Sequence, residues 1–232
     1  MEDIRIDRIE ALEAMVQQWG FVPFFNNEIP GFSVEEHTPQ EFWFSNDRPG
    51  PWEWKGPVAR TGSCIYGKLF CGKAGFVSRD WLPDFLNARR DGYDFEARYE
   101  DGLVAHKDKQ LYDTLAEHGP MLTRELKQRC NYRKGGNTGF ETVATRMQMQ
   151  TYLIIADFEY MKDQYGRPYG WGVARYSTPE LQFGEDYVNG CYARPVEESW
   201  ARMLEHLRQL VPYATEEQCK RILNWPKQSV RP

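Results

Sequence analysis

Between Lys107 and Tyr176 the spacing of apolar residues turns from helical to β-rich, and this change limits the fold more than any other feature of the 232-residue chain. Leu111, Thr114, Leu115 and His118 give one face of a first amphipathic helix, closed by Gly119-Pro120. Thr123 caps a short second helix with Leu126 inward and Arg124, Lys127 and Arg129 outward. A turn at Gly135-Gly136 leads to a third helix, where Phe140, Val143 and Met147 keep i, i+3/i+4, i+7 spacing. The runs 151–160 and 169–176 then read as strands joined by a loop, in which Gly166 supplies a backbone tolerant of positive φ. Three helices followed by a hairpin, in that order, predict a winged helix-turn-helix.

The formal net charge of −5 argues against indiscriminate coating of nucleic acid. The charge is uneven, however. Residues 107–176 hold eleven Lys/Arg against eight Asp/Glu, or +3, and the rest of the chain holds eighteen against twenty-six, or −8. A basic segment inside an acidic chain fits a weak or partner-assisted phosphate binder. The basic cluster Arg124, Lys127, Arg129, Arg133 and Lys134 precedes the third helix, where such folds meet phosphates. Asn137 and Thr138 fall at that helix's N-terminus, whose amides favour an anion. Thr142, Thr145 and Arg146 are its exposed positions, set to face base edges or backbone, and Lys162 and Arg167 at the wing tip reach towards a neighbouring groove. The expected partner is double-stranded DNA. The competing reading is a protein-interaction module with the same residues as a solvated face.

Flanking stretches predict an α+β architecture: an aromatic-rich N-terminal module over 1–104, the winged-helix domain over 105–178, and C-terminal helices over 179–232 that brace or dimerise the whole. In the first, 4–19 is an amphipathic helix, 49–57 reads as Pro/Gly punctuation with aromatic anchors, 64–70 and 74–78 pair as strands, and 79–90 is a helix. Arg89 and Arg90 close that helix, placed where the helix dipole favours cations. Trp43, Phe44, Trp52, Trp54, Tyr66 and Trp81 either pack a core or form a stacking platform for unpaired bases, with Glu53, Lys55 and Arg60 as polar residues among the rings.

No apolar run approaches the ~18 residues of a membrane helix and no secretory leader opens the chain, so the cytoplasm is the expected compartment, with no membrane partner. Five scattered cysteines without a C-x-x-C pair read as buried free thiols, and the four histidines lack metal-ligand spacing. There is no Gly-rich phosphate loop after a strand and no nucleophile elbow, so no metal or cofactor is implied.

The runs PWEWKGPVARTGSCIYGKLFCGKAGFVSRDWLPDFLNARRDGYDF, FETVATRMQMQTYLIIADF and YGWGVARYSTPE resemble a group of bacterial proteins described as AlkZ-related, over about 42–180. That resemblance implies a distant tie to AlkZ-type DNA glycosylases, which stack winged helices around damaged DNA and carry a catalytic Gln-apolar-Gln or Gln-apolar-Asp pair. Gln148-Met149-Gln150 has that wording at the exit of the third helix. On a strand, two amides at this spacing point to one face, where they orient a water for hydrolysis of a base–sugar bond. The resemblance therefore adds a DNA-repair hydrolase to the alternatives.

Overall fold

The computed structural model describes residues 4–45, 48–166 and 168–226, with the side chains of Pro168 and Tyr169 outside that description. The first segment comprises α1 (Ile9–Trp19), β1 (Phe21–Pro23), α2 (Val34–His37), α3 (Pro51–Arg60), β2 (Cys64–Phe70), β3 (Lys73–Ser78), α4 (Leu82–Arg90) and α5 (Phe95–Glu100). The second comprises α6 (His106–His118), β4 (Met121–Leu122), α7 (Thr123–Arg129), α8 (Phe140–Met149), β5 (Ile154–Lys162) and β6 (Pro168–Ser177). The third comprises α9 (Pro179–Phe183), α10 (Glu185–Gly190), α11 (Val196–Leu210) and α12 (Glu216–Ile222). The fold is mixed α+β with two small antiparallel sheets, ordered β1-β3-β2 and β4-β6-β5. Among the described residues no helix is long and apolar enough to cross a membrane.

Val77 is the pivot of the first sheet, opposite Phe21 on one side and Ile65 on the other. Most of β2 and the second half of β3 are buried without alternation, because α1, α3 and α4 pack against the sheet. Gly75 is required where the strands meet: a Cβ there would stand 2.4 Å from the Phe70 ring and 2.7 Å from Val22 O. In the second sheet, Gly166 turns the hairpin with φ +78°, as its position predicts. One continuous set of buried apolar side chains runs from Ile6 to Leu223 through all three segments.

Two stretches differ from the sequence reading. Most of 49–57, expected as punctuation, lies in helix α3. Pro51 sits in its first turn, where the missing N–H has no intrahelical acceptor, and Glu53 Oε2 accepts the Gly50 N–H at 2.9 Å. Pro57 removes a rung of the ladder, which burial of Trp54, Val58 and Ala59 offsets. Gly56 then lets β5 approach, since a Cβ would lie 3.1 Å from Asp157 Oδ1.

Arg89 and Arg90 are the second difference. Neither is a surface cation; both are buried. Arg89 Nη2 donates to Leu69 O at 2.7 Å and Nη1 to Met149 O at 3.3 Å, bridging β2 to the end of α8. Burial lowers its pKa to about 9. Arg90 Nη1 donates to Glu180 Oε1 at 2.6 Å and to the Tyr192 hydroxyl at 2.7 Å, and Nη2 to Thr151 O at 2.8 Å. Burial pulls its pKa down, but Glu180 outweighs that and the net shift is upward.

The C-terminal segment braces α4. Asn87 Nδ2 donates to Arg194 O at 2.8 Å and Ser199 Oγ at 3.0 Å. Buried Asp84 is paired with Arg194 and with Arg202 Nε at 3.1 Å. Of the five cysteines four are buried as expected, but Cys71 is exposed on the β2–β3 turn, where its φ of 49° places it in the left-handed region.

Lys55 is buried on α3 with its ammonium over two rings, 4.5 Å from the Trp52 centroid and 4.2 Å from that of Phe158. Burial lowers its pKa from 10.5 to about 8, against an upward pull from Glu53. The unfolded chain therefore holds more protons than the folded one between those values, so stability rises with pH across that window and the full penalty is present below it. Lys55→Met should raise stability at pH 7 by about 1–2 kcal/mol and flatten the rise between pH 8 and 10.5. Urea melts across that range, with wild type and variant showing the same slope, would contradict this account.

Candidate nucleic-acid interface

Helix α7 is laid down by Leu126, which is fully buried, so its other faces point outward. Arg124 and Arg129 are exposed, as are Arg133 and Lys134 in the turn that follows, and among the described residues none of these four has an acidic partner. The turn is held by Asn131, whose φ of 58° suits an Asn after a helix end. Its Oδ1 accepts from Arg133 Nε at 3.0 Å and its carbonyl from Asn137 N–H at 2.7 Å. Gly136 must lack a Cβ there, because one would stand 2.2 Å from Asn131 O.

Beside these residues lies an open groove of about 870 Å³, lined by His118, Gln128, Arg129, Asn131 and Arg133, with Glu125 as its one acid. Glu125 is partly committed, its Oε2 accepting the Leu122 N–H at 3.1 Å. His118, read from sequence as inward-facing, lines this groove instead. Gln128 and Asn131 were also missed; Asn131 was findable, because Asn directly after a helix end signals the left-handed cap.

The remaining expected residues divide by partner. Lys127 donates to Glu141 Oε1 at 3.0 Å. Arg146 is held by Asp108, with Nε to Oδ2 at 3.0 Å. Thr145 Oγ1 accepts from Lys68 Nζ at 3.0 Å, so that flank of α8 faces β2. Asn137 Nδ2 is spent on Gln110 Oε1 at 3.0 Å and Cys130 O at 2.8 Å, tying the turn to α6 rather than greeting an anion. Thr138 is exposed and its carbonyl accepts from Lys107 Nζ at 3.0 Å. Thr142 and Lys162 are exposed. Arg167 lies outside the described residues.

Gln148 and Gln150 are not on a strand. Gln148 is in the last turn of α8 and Gln150 follows as its C-cap. A two-residue step on a helix rotates about 200°, so the two side chains leave in nearly opposite directions. Gln148 is 0% exposed; its Nε2 donates to Ala144 O at 3.0 Å and its Oε1 accepts the Lys68 N–H at 2.9 Å. Gly67 makes room for it, since a Cβ would stand 3.0 Å from Gln148 Oε1. With no exposure to solvent, the Gln148 amide has no water to orient; it ties the open edge of β2 to α8.

The fold and these side chains together define a mixed α+β protein with an unpaired cationic surface around a polar groove. The chain belongs to the family described as AlkZ related, whose model matches residues 6–224. Comparison with curated proteins and with solved structures gives no match.

Because Gln148 satisfies a buried strand N–H, Gln148→Ala should cost about 1–3 kcal/mol in denaturant unfolding. Gln150→Ala should stay within roughly 0.5 kcal/mol of wild type. Equal effects of the two substitutions would contradict the division of roles.

Proposed function

We propose that residues 105–178 form a winged helix-turn-helix that binds double-stranded DNA through its phosphates, with little reading of base sequence. The observation that carries this is the set of four exposed cations, Arg124, Arg129, Arg133 and Lys134, on α7 and the turn after it, none with an acidic partner among the described residues. Clustered cations of this kind gain affinity by releasing the counterions condensed on a duplex. Base readout has less support. Helix α8, the element that would enter the major groove, has Thr145 turned to Lys68, Arg146 neutralised by Asp108, and Glu141 paired with Lys127, leaving Thr142 as its free polar side chain among those expected to contact DNA. Lys162 at the hairpin end extends the contact. Family membership is consistent with a DNA-related role.

A labelled 20-base-pair duplex tests the proposal. With about three to five phosphate contacts, log K should fall against log salt with a slope of roughly −3 to −4, and unrelated sequences should bind within about threefold of one another. Arg133→Glu with Lys134→Glu should weaken binding about tenfold or more at low salt while leaving the unfolding midpoint unchanged. Absence of binding at low salt, or affinity indifferent to salt, would support the protein-interaction reading instead.

A further inference from the structure

A cavity of about 310 Å³ opens in the N-terminal segment, away from the cationic groove, with Phe25, Trp43, Phe44 and Trp52 as its rings and Glu35 as its charged group. Thr38 and Gln40 complete the lining. Its volume is at the lower end of the small-molecule range. The rings stand at angles to one another. Trp43 and Trp52 are 5.8 Å apart between centroids and inclined by 82°, and Phe25 and Trp52 are 5.8 Å apart and inclined by 52°. Behind them Phe24 meets Trp43 at 86°, and Trp171 of β6 meets Trp52 at 84°. Such walls offer no pair of parallel faces for a flat ring to enter. They leave a rounded space rather than a slot.

One further feature is unexplained by packing alone. Phe44 is 80% exposed at the rim, an apolar ring left in water. Glu35 adds charge. Its Oε2 accepts the Asn26 N–H at 2.8 Å, and it has no cationic partner among the described residues. We propose that this cavity is an aromatic cage for a small organic cation bearing a methylated ammonium group, held by the ring faces and by the carboxylate of Glu35. Aromatic faces attract a weakly hydrated ammonium through the ring quadrupole, and its methyl groups fill the apolar space between the rings. Lys55 lies over Trp52 at 4.5 Å and opposes a second cation on that ring, so Trp43, Phe44, Phe25 and Glu35 carry the attraction. The site is independent of DNA binding.

Calorimetric titration of the full chain with choline and with its neutral isostere 3,3-dimethylbutan-1-ol separates charge from shape. Choline should bind saturably and roughly tenfold more tightly than the alcohol. Glu35→Gln keeps an acceptor for the Asn26 N–H and should weaken choline severalfold; Phe44→Ala, at an exposed position, should do the same without loss of folding. Equal binding of the alcohol and choline would overturn the proposal and leave a plain apolar cavity. No saturable choline binding at millimolar concentration would also overturn it, as would binding of adenosine in preference to choline, which would make the cavity a stacking slot.

Discussion

The guanidinium of Arg90 has no exposure to water and remains charged because Glu180, the Tyr192 hydroxyl and the Thr151 carbonyl surround it. These four residues come from α4, the α8–β5 connection, α9 and the turn before α11. Removing one partner of such a pair leaves an uncompensated buried charge, typically at a cost of about 3–5 kcal/mol. Arg89 repeats the arrangement next door without a carboxylate, joining Leu69 O to Met149 O, and Gln148 closes the same seam through the Lys68 N–H. The open edge of β2 is thereby covered by α8 and β5, as an edge strand must be if it is not to pair elsewhere. The orientation of α7 and its cations relative to the rest of the molecule follows from this seam.

Electrostatic division within the second segment underlies the proposed mode of duplex binding. Asp108 and Glu141 neutralise Arg146 of α8 and Lys127 of α7, whereas Arg124 and Arg129 of α7 and Arg133 and Lys134 of the following turn have no acidic partner among the described residues. A third helix short of free polar side chains, beside a second helix rich in free charge, is suited to the backbone of a duplex rather than to its bases.

The helices and hairpin of 107–176 were legible because helical and strand periods are local properties of sequence. The Cys64–Phe70 strand, the Gly166 turn, and the bracing role of α11 were legible for the same reason. Helix α3 was hidden because Pro51, Gly56 and Pro57 are local helix breakers, and tertiary burial of Trp54 and Val58 overrides them. The roles of Arg89, Arg90 and Gln148 were not legible at all. Their long-range partners lie 20 to 102 residues away, and a local pattern shows a charged or polar side chain without showing which distant group will meet it. Gln148-Met149-Gln150 was misread for a related reason: α8 continues two residues further than a strand reading of that tripeptide allows, which turns a shared face into opposed ones. Among the cations, periodicity found the exposed positions but not the acids of α6 and α8 that occupy Arg146 and Lys127.

Backbone hydrogen–deuterium exchange with and without a duplex tests the location of the interface most directly. Slowed exchange across 124–137, extending to 162–166 and leaving 25–52 unchanged, is the expected outcome. Slowing confined to 25–52 or to α11 and α12, with 124–137 unaffected, would place the contact elsewhere and remove the proposed phosphate-binding role of α7 and its turn.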